Sequence, residues 1–163
     1  TTSRRSAPAS LYFLLVAVFD PHLHCIPSLH VLTICYNYHR TRQITARIDP
    51  GGASGCRLTA GAYTAALRIT EATVLVKQHS LLDIGPSLFL LSRVFPDFDA
   101  GEIRRFVSDL FADTSLIDPP TAGRIRAVIM DSHQKLQILQ RKLGKCPATD
   151  VLLVYLEELS RLP

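Results

Sequence analysis

The chain has 163 residues, of which 47% are hydrophobic and 20% are charged, and its formal net charge is +4. This length fits one domain, or a small core with an appendage, and the mean hydropathy of +0.18 is high for a soluble domain. No stretch pairs Arg or Lys with aromatic side chains in the manner of a nucleic-acid groove, so no nucleic-acid partner is expected. The positive excess fits an anionic partner such as phospholipid headgroups.

Four apolar runs occupy the first part of the chain, at residues 11–19, 26–38, 58–76 and 81–95. A bilayer crossing needs about 20 mostly apolar residues, so these runs are either buried helices of a soluble domain or membrane segments. Only 58–76 approaches that length, and within it Arg68 and Glu71 are three apart and could pair on one helix face. Residues 37–57 are rich in arginine and contain Asp49-Pro50 and Gly51-Gly52, which are typical of turns. This stretch therefore predicts a polar loop suited to the cytoplasmic side.

After the fourth run the pattern becomes amphipathic. Asp99 followed by Glu102 predicts a capped helix that ends near Phe111, and "DPPTAGRIRAVIMDSHQKLQILQRKLG" predicts a longer helix that stops at Gly144. "ATDVLLVYLEELSRL" predicts a third helix. The long helix carries one stripe at helical spacing: Ile125, Val128, Ile129, Ser132, Leu136, Leu139 and Leu143. His133 is expected to be exposed or at the edge of the core.

These patterns predict an all-α chain with two parts. Residues 1–96 are expected to form a membrane-embedded helical bundle, and residues 97–163 a soluble helical extension. The expected location is therefore integral to a membrane. The sequence identifies no protein partner for the C-terminal helices.

A histidine and a carboxylate lie four apart in "VKQHSLLDI". On a helix, Asp83 would reach an imidazole nitrogen of His79, and Lys77 lies just before them as a cation for phosphate. A nucleophilic imidazole is better positioned when a carboxylate holds its other ring nitrogen. The same spacing is common in solvated pairs on helix surfaces, so it does not mark a site by itself.

A second histidine closes the turn "PSLH" at residues 27–30. Ser28 is placed to cap a helix that starts at Leu29, and His30 then lies in the first turn. Helix N-termini present backbone N–H groups to anions, so His30 would lie near anything bound there.

Together and in this order, "PSLH" and "HSLLD" (79–83) resemble two motifs of the type 2 phosphatidic acid phosphatase superfamily, also called lipid phosphate phosphatases. Those motifs are Pro-Ser-Gly-His and Ser-Arg-x5-His-x3-Asp. With Leu29 in place of Gly, the chain is most similar to the branch that includes inositol phosphorylceramide synthases. The resemblance covers residues 19–90 and implies a helical, membrane-embedded enzyme that needs no metal and no cofactor.

The resemblance also implies a role for each matching residue. His79 would be the nucleophile that forms a phosphohistidine, Asp83 would orient it, and His30 would protonate the leaving alcohol. Ser28 would hydrogen-bond the phosphate, with Lys77 as a further phosphate-binding cation. The implied substrates are lipid phosphates, namely phosphatidic acid-like phosphomonoesters or diphosphates.

The chain departs from the family pattern at two places. The family's first motif, Lys-x6-Arg-Pro, does not occur upstream of Pro27, so we expect the chain to begin inside a longer protein. Ala72 and Thr73 stand where the third motif has Ser-Arg, and Lys77 is the candidate replacement for that cation. Two alternatives stay open: a phosphotransferase that moves a phospho-headgroup to a lipid or inositol alcohol, or a non-catalytic membrane or interaction protein with a relict site.

A zinc site is a further alternative, since six potential ligands crowd into eighteen residues: His22, His24, Cys25, His30, Cys35 and His39. Their spacing matches no structural zinc pattern, so no metal site is predicted. The four cysteines of the chain also lack the regular spacing of a disulfide framework.

Overall fold

The computed structural model describes residues 27–76, 81–112 and 117–161, and these residues form six helices and no strand. In chain order they are α1 (Leu29–Ile48), α2 (Ala53–Leu75), α3 (Leu81–Val94), α4 (Ala100–Asp109), α5 (Pro119–Leu143) and α6 (Ala148–Ser160). The all-α class is therefore confirmed for this part of the chain. Among these six helices, none combines the length and the apolar character that a membrane crossing requires.

The predicted helix ends are confirmed by their caps. The Ser28 hydroxyl caps α1, and the Asp99 carboxylate accepts hydrogen bonds from the first N–H groups of α4. Asp118 does the same for α5, and these N–H donors hold the pKa of both carboxyls below its usual range. Gly144 ends α5 with a φ of 72°, in the left-handed region that favours glycine.

The connection between α1 and α2 is shorter than the sequence suggests. The prediction of a polar loop over residues 37–57 is wrong, because α1 continues to Ile48 and α2 begins at Ala53. The polar residues of this stretch lie on exposed faces of the two helices, while Tyr38 and His39 face the core. The turn itself is residues 49–52, where Gly51 has a φ of 76°.

One hydrophobic core includes side chains from the first five helices. It contains Val31, Cys35 and Tyr38 of α1, Ala66 of α2, Ile84, Leu88 and Leu91 of α3, Ile103, Phe106 and Val107 of α4, and Ala122, Ile125 and Ile129 of α5. A second cluster joins α6 to α3 and α5 through Phe89, Leu136, Leu139, Val151, Leu152 and Tyr155. The larger core includes residues on both sides of residue 96, and the division of the chain at that position stays a prediction.

Helices α3 and α5 pack closely at Gly85. A Cβ atom at Gly85 would overlap the Ser132 hydroxyl and would lie 2.9 Å from the backbone nitrogen of His133. The expectation that His133 is exposed or at the core edge is wrong, because its exposed fraction is 2%. His133 follows Ser132 of the predicted stripe, and the close packing of α3 against α5 buries it as well. This burial lowers the pKa of His133.

Candidate functional site

The "PSLH" turn presents His30 at the start of α1, as predicted. Ser28 is fully buried, and its hydroxyl accepts the Val31 N–H at 3.4 Å. The Ser28 carbonyl accepts the Leu32 N–H at 3.0 Å, which closes the first turn of the helix. His30, two positions after Ser28, is half-buried. The cap therefore holds the backbone that carries the candidate general acid.

Asp83 lies in the first turn of α3 and is 2% exposed. The Ser28 N–H donates to the Asp83 carbonyl oxygen at 3.3 Å. The Ser87 hydroxyl lies 2.9 Å from the same carbonyl oxygen and 3.1 Å from the Ser28 carbonyl oxygen. The two candidate motifs, far apart along the chain, are thus joined backbone to backbone.

This junction brings two helix N-termini together. The N-terminus of a helix carries a partial positive charge of about half an elementary charge. Ser28 caps α1, and Asp83 lies in the first turn of α3, so the positive ends of α1 and α3 adjoin. Such a place stabilises a negative group, either the Asp83 carboxylate itself or a bound anion.

Two of the predicted site residues, Lys77 and His79, lie outside the described residues. His79 is four positions before Asp83 in the sequence, and Lys77 is six before it. Their convergence with His30 stays a prediction. Of the five predicted site residues, the structure joins Ser28 to Asp83, and His30 lies two positions after Ser28.

The predicted pair of Arg68 and Glu71 is confirmed, with 2.8 Å between Arg68 Nη1 and Glu71 Oε2. Glu71 is 2% exposed, and its other oxygen accepts the Phe111 N–H at 2.7 Å. Phe111 has a φ of 57°, unusual for a side chain of this size. The carboxylate therefore fixes the chain after α4 against α2, a contact that the sequence did not indicate.

Sequence reasoning also missed a polar network between α1 and the start of α4. Tyr38 donates to Glu102 at 2.8 Å, and Arg42 reaches both Glu102 at 3.0 Å and Asp97 at 3.2 Å. The fully buried His39 places Nε2 2.9 Å from Asp97. Burial and the hydrogen bond to Glu102 raise the pKa of Tyr38. The partners are 55 to 64 positions apart, and no local pattern predicts such pairing.

The zinc alternative involves His22, His24 and Cys25, which lie outside the described residues, together with His30, Cys35 and His39. Cys35 is fully buried, and burial raises the pKa of its thiol to about 12, which disfavours the thiolate that binds metal. Within residues 27–76, 81–112 and 117–161, no group of three or more His, Cys, Asp or Glu side chains is placed to hold a metal ion.

An open cleft of about 500 Å³ lies between α1 and α2, and its walls include Arg42, Tyr63 and Arg105. Neither Ser28, nor His30, nor Asp83 lines it. It is therefore a feature separate from the junction of the two motifs.

Comparisons of the chain with protein-family models, with curated proteins and with solved structures find no match.

Proposed function

We propose that the protein transfers phosphoryl groups of membrane lipids through a phosphohistidine intermediate, with phosphatidic acid-like esters or diphosphates as substrates. The observation that supports this function is the junction of the "PSLH" turn with the first turn of α3. The Ser28 N–H donates to the Asp83 carbonyl at 3.3 Å, so the residues of both motifs are neighbours in space. Two adjoining helix N-termini at the same place favour an anionic substrate.

The reaction has two steps in this proposal. An imidazole nitrogen of His79 attacks phosphorus, a bond from nitrogen to phosphorus forms, and the bond from phosphorus to the lipid oxygen breaks. His30 gives its proton to that leaving oxygen, while Asp83 accepts a hydrogen bond from the other ring nitrogen of His79. Water, or a lipid or inositol alcohol, then attacks phosphorus and gives its proton to His30, while the bond from nitrogen to phosphorus breaks and frees His79. Lys77 holds phosphate oxygens throughout, and Ser28, whose hydroxyl caps α1, shapes the turn that presents His30.

The proposal includes a location in the membrane. Nine of the thirteen large apolar side chains that are exposed in the described residues lie between positions 29 and 94, the part that carries both motifs. They include Ile48 at 78% exposed and Leu29 at 67%. These exposed apolar side chains leave apolar surface available for contact with a membrane. The sequence run at 11–19 adds further apolar residues to this part.

Two phosphate esters test the assigned roles. Phosphatidic acid has an alkoxide leaving group that needs a proton, whereas p-nitrophenyl phosphate releases a stable phenolate. His79→Ala should abolish release of phosphate from both esters, because the nucleophile is lost. His30→Ala should lose about 10²- to 10⁴-fold on phosphatidic acid, the usual contribution of general acid catalysis, and far less on the aryl ester.

Lys142→Ala, which removes an exposed lysine at the end of α5, is the matched control for Lys77→Ala at the proposed site. The first should leave both rates unchanged, and the second should raise KM. Equal rates in the full-length protein and in its His79→Ala variant would remove the catalytic assignment and favour the non-catalytic alternative.

A further inference from the structure

The contacts at the junction of the two motifs give a role to one side chain that belongs to neither motif. Ser87 lies one helical turn after Asp83 on α3 and is fully buried. Its hydroxyl is within hydrogen-bond distance of two carbonyl oxygens, at 2.9 Å from Asp83 and at 3.1 Å from Ser28. The first contact is common, since serine in a helix often donates to the carbonyl four residues back. The second contact crosses to another helix.

We propose that Ser87 is a positioning residue, which sets the distance between the histidine of the "PSLH" turn and the helix of Asp83. This inference rests on the proposed function. A hydroxyl has one proton to donate, and here that proton is shared between, or exchanged between, the two carbonyl oxygens. The Ser28 N–H also donates to the Asp83 carbonyl, so each of Ser28, Asp83 and Ser87 contacts the other two. With Ser87 fully buried, water cannot replace this bridge.

Removal of the hydroxyl should affect geometry more than folding. The Ser28 carbonyl would keep its bond from the Leu32 N–H at 3.0 Å, so Ser87→Ala leaves no buried donor without a partner. The cap of α1 would lose its tie to α3 while both helices remain packed by Val31, Ile84 and Leu88. A general acid displaced by about 1 Å can lose on the order of 10²-fold in rate.

The test compares Ser87→Ala with Ser92→Ala in the full chain. Ser92 is the matched control, because its hydroxyl donates to the Phe89 carbonyl at 2.7 Å within the same helix. Ser87→Ala should lower kcat on phosphatidic acid by about tenfold to a hundredfold with KM little changed, at a melting temperature equal to that of Ser92→Ala. Ser87→Thr, which keeps the hydroxyl, should recover most of kcat. Equal kcat in the two alanine variants would overturn the inference, as would a loss of kcat matched by loss of folded protein.

Amide hydrogen exchange separates this inference from the function on which it rests. The amides of residues 28–32 should exchange faster in Ser87→Ala than in Ser92→Ala, while residues 53–66 of α2 should exchange equally in both. If the full-length protein is inactive on every phosphate ester, the proposed function fails, and hydrogen exchange alone then tests the contact between α1 and α3. Faster exchange confined to residues 28–32 would support that contact, and equal exchange in the two variants would refute it.

Discussion

Replacement of Glu71 by alanine should destabilise the protein more than any exposed charge change in the same helix. The carboxylate is 2% exposed and accepts two hydrogen bonds, from the Phe111 N–H at 2.7 Å and from Arg68 at 2.8 Å. Phe111 is 1% exposed, so its N–H cannot turn to water when the acceptor disappears. The left-handed backbone at Phe111, with a φ of 57°, also depends on this bond.

The expected cost follows from these contacts. A hydrogen bond to a buried charged acceptor contributes about 1.5–3 kcal/mol, and the donor that is left without a partner adds to the loss. The bond to Arg68 adds less than about 1 kcal/mol, because that side chain is 50% exposed. We therefore expect Glu71→Ala to lose about 3 kcal/mol, which lowers the melting temperature by about 6–12 °C for a chain of this length.

Thermal unfolding followed by circular dichroism measures this loss, since the chain is helical and has no Trp. Two variants serve as controls. Glu71→Gln keeps an acceptor for the Phe111 N–H and should lose about half as much as Glu71→Ala. Arg68→Ala removes the exposed partner and should stay within about 1 kcal/mol of the wild type. If Glu71→Ala melts within about 2 °C of Arg68→Ala, the buried hydrogen bond does not carry the stability assigned to it.

Two further predictions concern the contact of α3 with α5. Gly85→Ala should lose about 1–3 kcal/mol of the free energy of unfolding through overpacking, because its Cβ would overlap the Ser132 hydroxyl. Denaturant unfolding measures this loss. An unchanged unfolding midpoint would mean that α5 shifts freely. His133 has a lowered pKa in the folded protein, so protonation favours the unfolded chain, and stability should begin to fall as the pH drops through the unfolded value of 6.5. His133→Leu should remove this part of the pH dependence. It should leave the melting temperature at pH 7 unchanged or higher, since the buried Nε2 atom has no hydrogen-bond partner. Melting temperatures that fall equally in both proteins between pH 7 and pH 5 would contradict this.

Local chemistry made the helix ends predictable. Ser28 and Asp99 cap the helices that they were expected to cap, and Gly144 ends α5, because capping depends on residues within one turn. The same kind of reasoning failed over residues 37–57, where polar composition indicated a loop. Two helices pass through this stretch because each needs only one buried face, which Tyr38 and His39 supply for α1.

The candidate site was predictable in part. The sequence motifs selected Ser28 and Asp83, which the structure joins by a hydrogen bond, while the catalytic roles of the motif residues stay a prediction. Ser87 could not be found from the sequence, since a buried serine in a helix is ordinary until a second helix brings a carbonyl to its hydroxyl.

The sequence by itself determined the helical class and the capped helix starts. Each of these depends on neighbours within a few positions, through hydrogen bonds that close in one turn or through side chains that repeat at helical spacing. The tertiary structure decided which helix ends meet. The bonds between Ser28 and Asp83, between Glu71 and Phe111, and between His39 and Asp97 all join distant residues. Their formation depends on how the hydrophobic faces of whole helices pack, and no local pattern carries that information.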